Sequence, residues 1–292
     1  MRTTAAVLLI LTSTAGAQPG AFCELTPCLP GPIARRTLAK DEPHHGVVCK
    51  KGRDLGTDAA ARVAFCTTAA TADVDGIPVA AGAYTLFHPN GRVYQTHTRA
   101  KVERATGDGT KVACGPDLIA LTDKGALVYC KLAAPRAGSP KARVGEGIRF
   151  HDNGALELLT LDEAAKLDGI PLAPGATVYF DASGKLSGAH TSDPITVRGL
   201  SIRFELTVHS GGALAEAELA APAKLHGHAF PAGAKLAFRA DGTLERAQHV
   251  ARRGFLPHGE EWTDTLHLVF DPAGKITSST TQHWQSRTPE KP

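Results

Sequence analysis

The stretch Thr177-Val178-Tyr179-Phe180-Asp181-Ala182-Ser183-Gly184-Lys185-Leu186 reads as a strand, a tight turn and a second strand. Asp181 suits the first position of a type I turn. Gly184 suits the fourth, where a left-handed backbone lets the next strand leave through a bulge. The pattern recurs at Phe87-His88-Pro89-Asn90-Gly91, Leu121-Thr122-Asp123-Lys124-Gly125, Phe150-His151-Asp152-Asn153-Gly154, Val208-His209-Ser210-Gly211-Gly212, Phe238-Arg239-Ala240-Asp241-Gly242 and Phe270-Asp271-Pro272-Ala273-Gly274. Pro89 and Pro272 fall at the second turn position, where a φ locked near −65° is an advantage. The only two asparagines, Asn90 and Asn153, each precede a turn glycine.

The turn glycines at 91, 125, 154, 184, 212, 242 and 274 lie 28 to 34 residues apart. A period near 30 marks a repeat architecture. After each glycine, apolar or small residues fall at offsets +2, +5 and +7, as in Leu127, Cys130, Leu132 and in Leu186, Ala189, Thr191. Strict alternation would give +2, +4, +6. The slip predicts one bulge per hairpin, which returns the later residues to the inner face. Val63, Cys66 and Thr68 fit the same offsets if Ala61 takes the glycine's place, giving a degenerate first copy. Between hairpins, Asp75–Gly82, Asp168–Gly175 and His226–Gly233 combine glycines with prolines and read as return connections. The expected fold is all-β: an antiparallel meander of about seven to eight hairpin repeats of roughly 30 residues, in a curled, elongated sheet. A solenoid-like stack and a closed barrel are the alternatives. Ala155–Ala165 has some helical character, but the register assigns it to strand.

Working outward, residues 1–17 read as a signal peptide, with Arg2, the apolar run Ala5–Leu11 and the small-x-small site Ala15-Gly16-Ala17. Residues 18–45 read as an irregular proline- and cysteine-bearing lead-in, 46–281 as the repeat domain and 282–292 as a flexible tail. A secreted or periplasmic chain makes its six cysteines disulfide candidates. Cys130 and Cys66 hold equivalent +5 positions, and each follows another cysteine, Cys114 and Cys49, by 16 and 17 residues. The register therefore pairs Cys49 with Cys66 and Cys114 with Cys130, leaving Cys23 and Cys28 to close a small loop. No Cys-x-x-Cys spacing suggests zinc. The net charge of +3 is small for 292 residues and does not indicate a nucleic-acid partner. No apolar run is long enough for a transmembrane helix.

The Phe-x-x-x-Gly-x-Leu hairpins over residues 55–281 resemble the MORN-type β-hairpin repeats, and similar repeats in exported bacterial proteins. MORN-type units are shorter and richer in aromatics than these, which share four Tyr and two Trp over the whole chain. The resemblance implies an open hairpin sheet used for binding or scaffolding, with no catalytic residue to carry over.

No strong catalytic motif is present. His-Glu-x-x-His and Gly-x-Ser-x-Gly are absent, and Gly107-Asp108-Gly109-Thr110-Lys111 lacks the spacing of a phosphate loop and reads as a flexible loop. Of thirteen histidines, His97 and His190 share offset +6 and His249 sits at +7, in repeats too far apart to share one ion. His88 and His151, at the first turn position, read as solvated. Phe255–Trp262 is the one connection that departs from the pattern, and His258, Glu260 and Trp262 there are the candidate binding residues. No cofactor and no metal site is expected. The leading functional expectation is an exported, non-catalytic repeat protein that presents a β surface to a protein or glycan at the envelope or outside the cell. The alternatives are a hydrolase or transferase with its site in the 255–262 loop, and a purely structural envelope component.

Overall fold

A computed structural model describes residues 33–136, 138–255 and 261–285 and contains no helix among them. The first strands are β1 (Ala34–Thr37), the hairpin β2 (Glu42–His44) and β3 (Val47–Cys49), β4 (Asp54–Thr57), β5 (Val63–Thr67), the hairpin β6 (Ala72–Val74) and β7 (Ile77–Val79), β8 (Tyr84–Phe87) and β9 (Val93–His97). Then come β10 (Val102–Ala105), β11 (Lys111–Leu121), β12 (Leu127–Leu132), β13 (Gly147–Phe150), β14 (Leu156–Thr160), the hairpin β15 (Ala165–Leu167) and β16 (Ile170–Leu172), β17 (Thr177–Phe180) and β18 (Leu186–Val197). The chain continues with β19 (Leu200–Val208), β20 (Leu214–Leu219), the hairpin β21 (Ala223–Leu225) and β22 (His228–Phe230), β23 (Lys235–Phe238), β24 (Leu244–Phe255), β25 (Glu261–Phe270) and β26 (Ile276–Gln285). Apart from the four short hairpins, the strands form one 18-stranded sheet. Its pairings are all antiparallel and follow chain order from β1–β4 through β9–β11 and β18–β19 to β25–β26. It is a meander, with β10 added along the first part of β11.

The turns explain the repeat. In the stretch read first, the Asp181 N–H donates to the Lys185 carbonyl at 2.8 Å and the Gly184 N–H to the Asp181 carbonyl at 2.9 Å. The same two bonds close the turns that start at Asp58, His88, Thr122, His151, His209, Arg239 and Asp271. Gly184 has φ +81°, and in the first of these turns Ala61 takes the glycine's left-handed place at φ +59°. Leu186 lies opposite Phe180 and Gly188 opposite Tyr179, so Ser187 is the extra, bulged residue. The slip recurs between β23 and β24 and between β25 and β26. It places Leu186, Ala189 and Thr191 inside, at 2%, 0% and 3% exposure.

Where the first turn residue is histidine or arginine, it ties one turn to the next. His88 Nε2 donates to the Leu121 carbonyl (2.9 Å), His151 Nε2 to Phe180 (2.9 Å) and His209 Nε2 to Phe238 (2.8 Å), while Arg239 reaches the Phe270 carbonyl. His88 and His151, expected as solvated, are therefore clamps between turns, as is His209. The task of satisfying the fifth residue's N–H then passes from position one to position three. Asn90 accepts from Arg92, Asn153 from Ala155 and Asp241 from Thr243, whereas Asp181 at position one accepts from Lys185.

The connections expected as simple returns form a second layer. Asp75-Gly76, Asp168-Gly169 and His226-Gly227 are the left-handed pairs at the tips of two-residue hairpins, as is His45-Gly46. Two successive positive φ values make a turn whose twist suits the flanking strands. Val47, Val74, Ile77, Ile170, Leu172 and Phe230 from these hairpins join one core with the inner face of the sheet. The core thus lies between sheet and hairpins and not in the hollow of a curled sheet, because the hairpins supply the apolar cover that curling was expected to provide. Gly107–Lys111, read as a flexible loop, holds the tight turn between β10 and β11, with the Gly109 N–H bonded to the Thr106 carbonyl.

Cys49 is bonded to Cys66 and Cys114 to Cys130, with Cα separations of 5.7 and 5.6 Å, as the register requires. The first joins the hairpin layer to the sheet, and the second joins adjacent strands. Such bonds suit an oxidising compartment. The signal peptide, Cys23 and Cys28 lie outside the described residues. Within the lead-in, β1 pairs with β4 and β2 with β3. Within the tail, β26 extends to Gln285.

Two expectations follow. A Cβ at Gly184 meets no atom within 4 Å, so Gly184→Ala costs only its left-handed backbone, about 1 kcal/mol. A Cβ at Gly56 falls 2.1 Å from the Phe65 ring, so Gly56→Ala displaces the ring and should lower the urea midpoint further than Gly184→Ala. Replacing both Cys114 and Cys130 by serine should lower stability by about 3 kcal/mol, the loop-closure value for a loop of this length. Chemical denaturation under non-reducing conditions measures both.

Candidate functional site

The inner row is packed as far as Leu268 on β25, so a site over that part of the sheet uses the outer face. The bulge sends offsets +5 and +7 inward and leaves +4 and +6 outward: Gly188 and His190, Glu216 and Glu218, Arg246 and Gln248, Ser278 and Thr280. Register places Thr207, Glu216, Ala237, Arg246, Val269 and Ser278 side by side across β19 to β26. The row beside it carries Glu218, Lys235, Gln248, His267 and Thr280.

Exposure changes along this face. Outward Phe65, Leu86 and Ala120, in the N-terminal half, are each 2% exposed. Tyr129 and Tyr179 are half-buried, and burial raises the pKa of each phenol. From β20 onward Glu216, Arg246 and Ser278 are exposed, and Val269 presents 38% of its surface. Several aromatics lie over glycines: the outward Phe65 over Gly56 and Tyr129 over Gly147, and Trp262, on the same face of β25 as Leu268, over Gly254, where an added Cβ would come within 2.1, 2.9 and 2.7 Å of the ring. A ring across the ladder shields a bare glycine backbone.

The exposed half holds a groove of about 800 Å³ that crosses β19, β20, β23, β24, β25 and β26. Carboxylates line one side (Glu205, Glu216, Glu218), Lys235, Arg246, Gln248, His267, Thr280 and Gln282 line the other, and apolar residues such as Leu206, Leu236 and Val269 lie between them. Arg203 binds Glu218 at 2.8 Å and Arg246 approaches Glu216 at 3.7 Å, across the small Ala237. Glu205 and Lys235 have no ion pair among the described residues. The Nε2 of His267 is buried without a hydrogen-bond partner. Nothing here resembles a metal centre: no cluster of three or more potential ligands exists among the described residues.

Of the residues singled out in sequence, His258 and Glu260 lie outside the described residues. Trp262 stands on strand β25, opposite Gly254 and Gln285, with its ring 5.8 Å from that of His283. His283 Nδ1 bonds the Asp264 carboxylate at 2.7 Å. The three offset histidines separate: His190 faces outward between Thr177 and Glu205. His97 pairs with Leu118. His249 packs against Phe230 with its Nδ1 buried and unpartnered, and burial lowers its pKa. The groove escaped sequence reading, although the +4 and +6 offsets that line it were legible once the bulge was inferred. No protein-family model matches the chain, and no curated protein matches its sequence.

Trp262 reports on this end of the sheet. In a Trp284→Phe background, Gly254→Ala should push the Trp262 ring off the strand and alter its fluorescence emission, while Gly184→Ala leaves that emission unchanged.

Proposed function

We propose that the chain is an exported, non-catalytic repeat protein of seven to eight hairpin units in an elongated array, and that the exposed outer face of its sheet binds a partner at the cell envelope or outside the cell. The observation that carries this is the groove over β19–β26, where carboxylates, amides, hydroxyls and a few cations lie on an open ladder with apolar side chains between them, polar groups and flat apolar surface of the kind a sugar ring presents in return. Strands about 4.8 Å apart present such groups at a regular interval. A polar polymer with its own repeat, a glycan, fits that arrangement better than a compact apolar ligand does. The resemblance to MORN-type hairpin repeats points the same way, toward a sheet used for binding or scaffolding. A signal peptide at residues 1–17 and an oxidising destination fit the two disulfides.

A second reading, a hydrolase or transferase at this end of the sheet, has one observation in its favour. The Asp264 carboxylate orients the His283 imidazole, and Trp262 lies beside it. A third, a purely structural envelope component, needs no ligand at all.

Retention of the mature chain on purified envelope polysaccharide separates these readings. Ala237→Trp fills the groove floor and should reduce retention at least tenfold with an unchanged circular dichroism spectrum. Retention that survives Ala237→Trp removes the groove from the account, and no retention of the native chain favours the structural reading. Turnover of the polysaccharide that His283→Ala abolishes would establish the enzyme instead.

A further inference from the structure

The two ends of the meander are built differently. β1 is four residues long and carries Arg35 and Arg36, charges of the kind that discourage an edge strand from pairing with another chain. β26 is ten residues long, and from Ile276 to Gln282 it contains no charge, no proline and no glycine. Its residues 277–284 are all exposed, and among the described residues its only registered partner is β25. Thr-rich and extended, it offers on its outer side a row of N–H and C=O groups with no ladder partner among the described residues.

We infer that β26 pairs antiparallel with β26 of a second copy of this chain, joining two sheets through a two-fold axis near Thr281. Directly opposed residues in an antiparallel pair must share a face. Pairing about Thr281 meets that condition, since Thr280 falls opposite the partner's Gln282 and Ser279 opposite the partner's His283. No like charges meet along the seam. The nearest carboxylate, Asp264, belongs to β25 and is bonded to His283. The groove gives an independent reason for choosing a second copy over an unrelated strand. Its last lining residues are Thr280, Thr281 and Gln282, so it runs out at the edge of one chain. A two-fold partner continues it with the same residues, making one groove from two copies. Such an interface is isologous and closes on itself, so it ends at the dimer and does not grow into a fibre. The inference concerns the edge alone and stands whether or not the groove binds a glycan.

Light scattering on the eluting mature chain tests it, with twice the monomer mass expected. Thr281→Lys sets two ammonium groups face to face at the axis and should halve that mass while leaving the circular dichroism spectrum unchanged, with a melting temperature that no longer rises with protein concentration. Thr281→Cys, at the same exposed position, should give an intermolecular disulfide on mild oxidation. A native chain that stays monomeric at its highest soluble concentration overturns the inference. So does a Thr281→Lys variant that remains dimeric, or a folded Thr281→Cys variant that forms no cross-link.

Discussion

A single β-sheet with one apolar face needs something to cover that face, and this requirement organises the molecule. The inner row Leu159, Val178, Ala189, Leu206, Ala217, Leu236, Ala247 and Leu268 runs across eight strands. Its members are at most 8% exposed. None is aromatic, and the thin supply of aromatics is spent elsewhere: Phe65, Phe87, Phe150, Phe230 and Phe270 are among the largest fully buried side chains. The short hairpins add Val, Ile, Leu and Phe to the shared core. The result is two thin layers, each stable only because the other covers it.

Turns and hairpin tips lock those layers at one end. A Cβ on the turn residue Gly91 would meet His45 at 2.6 Å, one on Gly242 would meet Arg198 at 2.5 Å, and one on Gly274 would meet His226 at 2.6 Å. His45 and His226 are tip residues of the short hairpins, and Arg198 is the tip of the β18–β19 hairpin. Turn glycines are therefore required twice, for a left-handed backbone and for the close approach of the next tip. Gly184, with open space around it, needs only the first. The hydrogen bonds from His88, His151, His209 and Arg239 bind each turn to its successor, and each contributes about 1 kcal/mol where it is shielded from water.

Surface function follows from the same geometry. Once the bulge has assigned +5 and +7 to the core, +4 and +6 are free of packing duty and can carry charge, amide or hydroxyl groups. In the N-terminal half Phe65, Leu86 and Ala120 are buried on this face, and exposed groups such as His97 and Lys131 stand at single +6 positions. In the C-terminal half this freedom produces the groove and an uncharged final strand. The groove and the last strand, β26, are thus adjacent features of one sheet.

Local chemistry in the sequence was enough to determine the turns, the bulge, the all-β meander and both described disulfides. Each depends on residues within one hairpin or on the phase of the repeat: Gly184 beside Asp181, the +2, +5, +7 offsets, and Cys114 with Cys130 across one turn. Even the degenerate turn at Ala61 was legible, because Val63, Cys66 and Thr68 kept the phase. Tertiary structure alone decided what covers the sheet and which outward residues meet. Asp75-Gly76 looks the same in sequence whether it ends a loop or tips a hairpin against the core. Glu216, Ala237 and Arg246 lie far apart along the chain and become neighbours only through the register of three successive strands. His88 reads as a solvated turn residue until the next turn supplies the Leu121 carbonyl. Period fixes what each unit does within itself; contacts between units depend on stagger and on which layer each element joins, and those are properties of the assembled sheet.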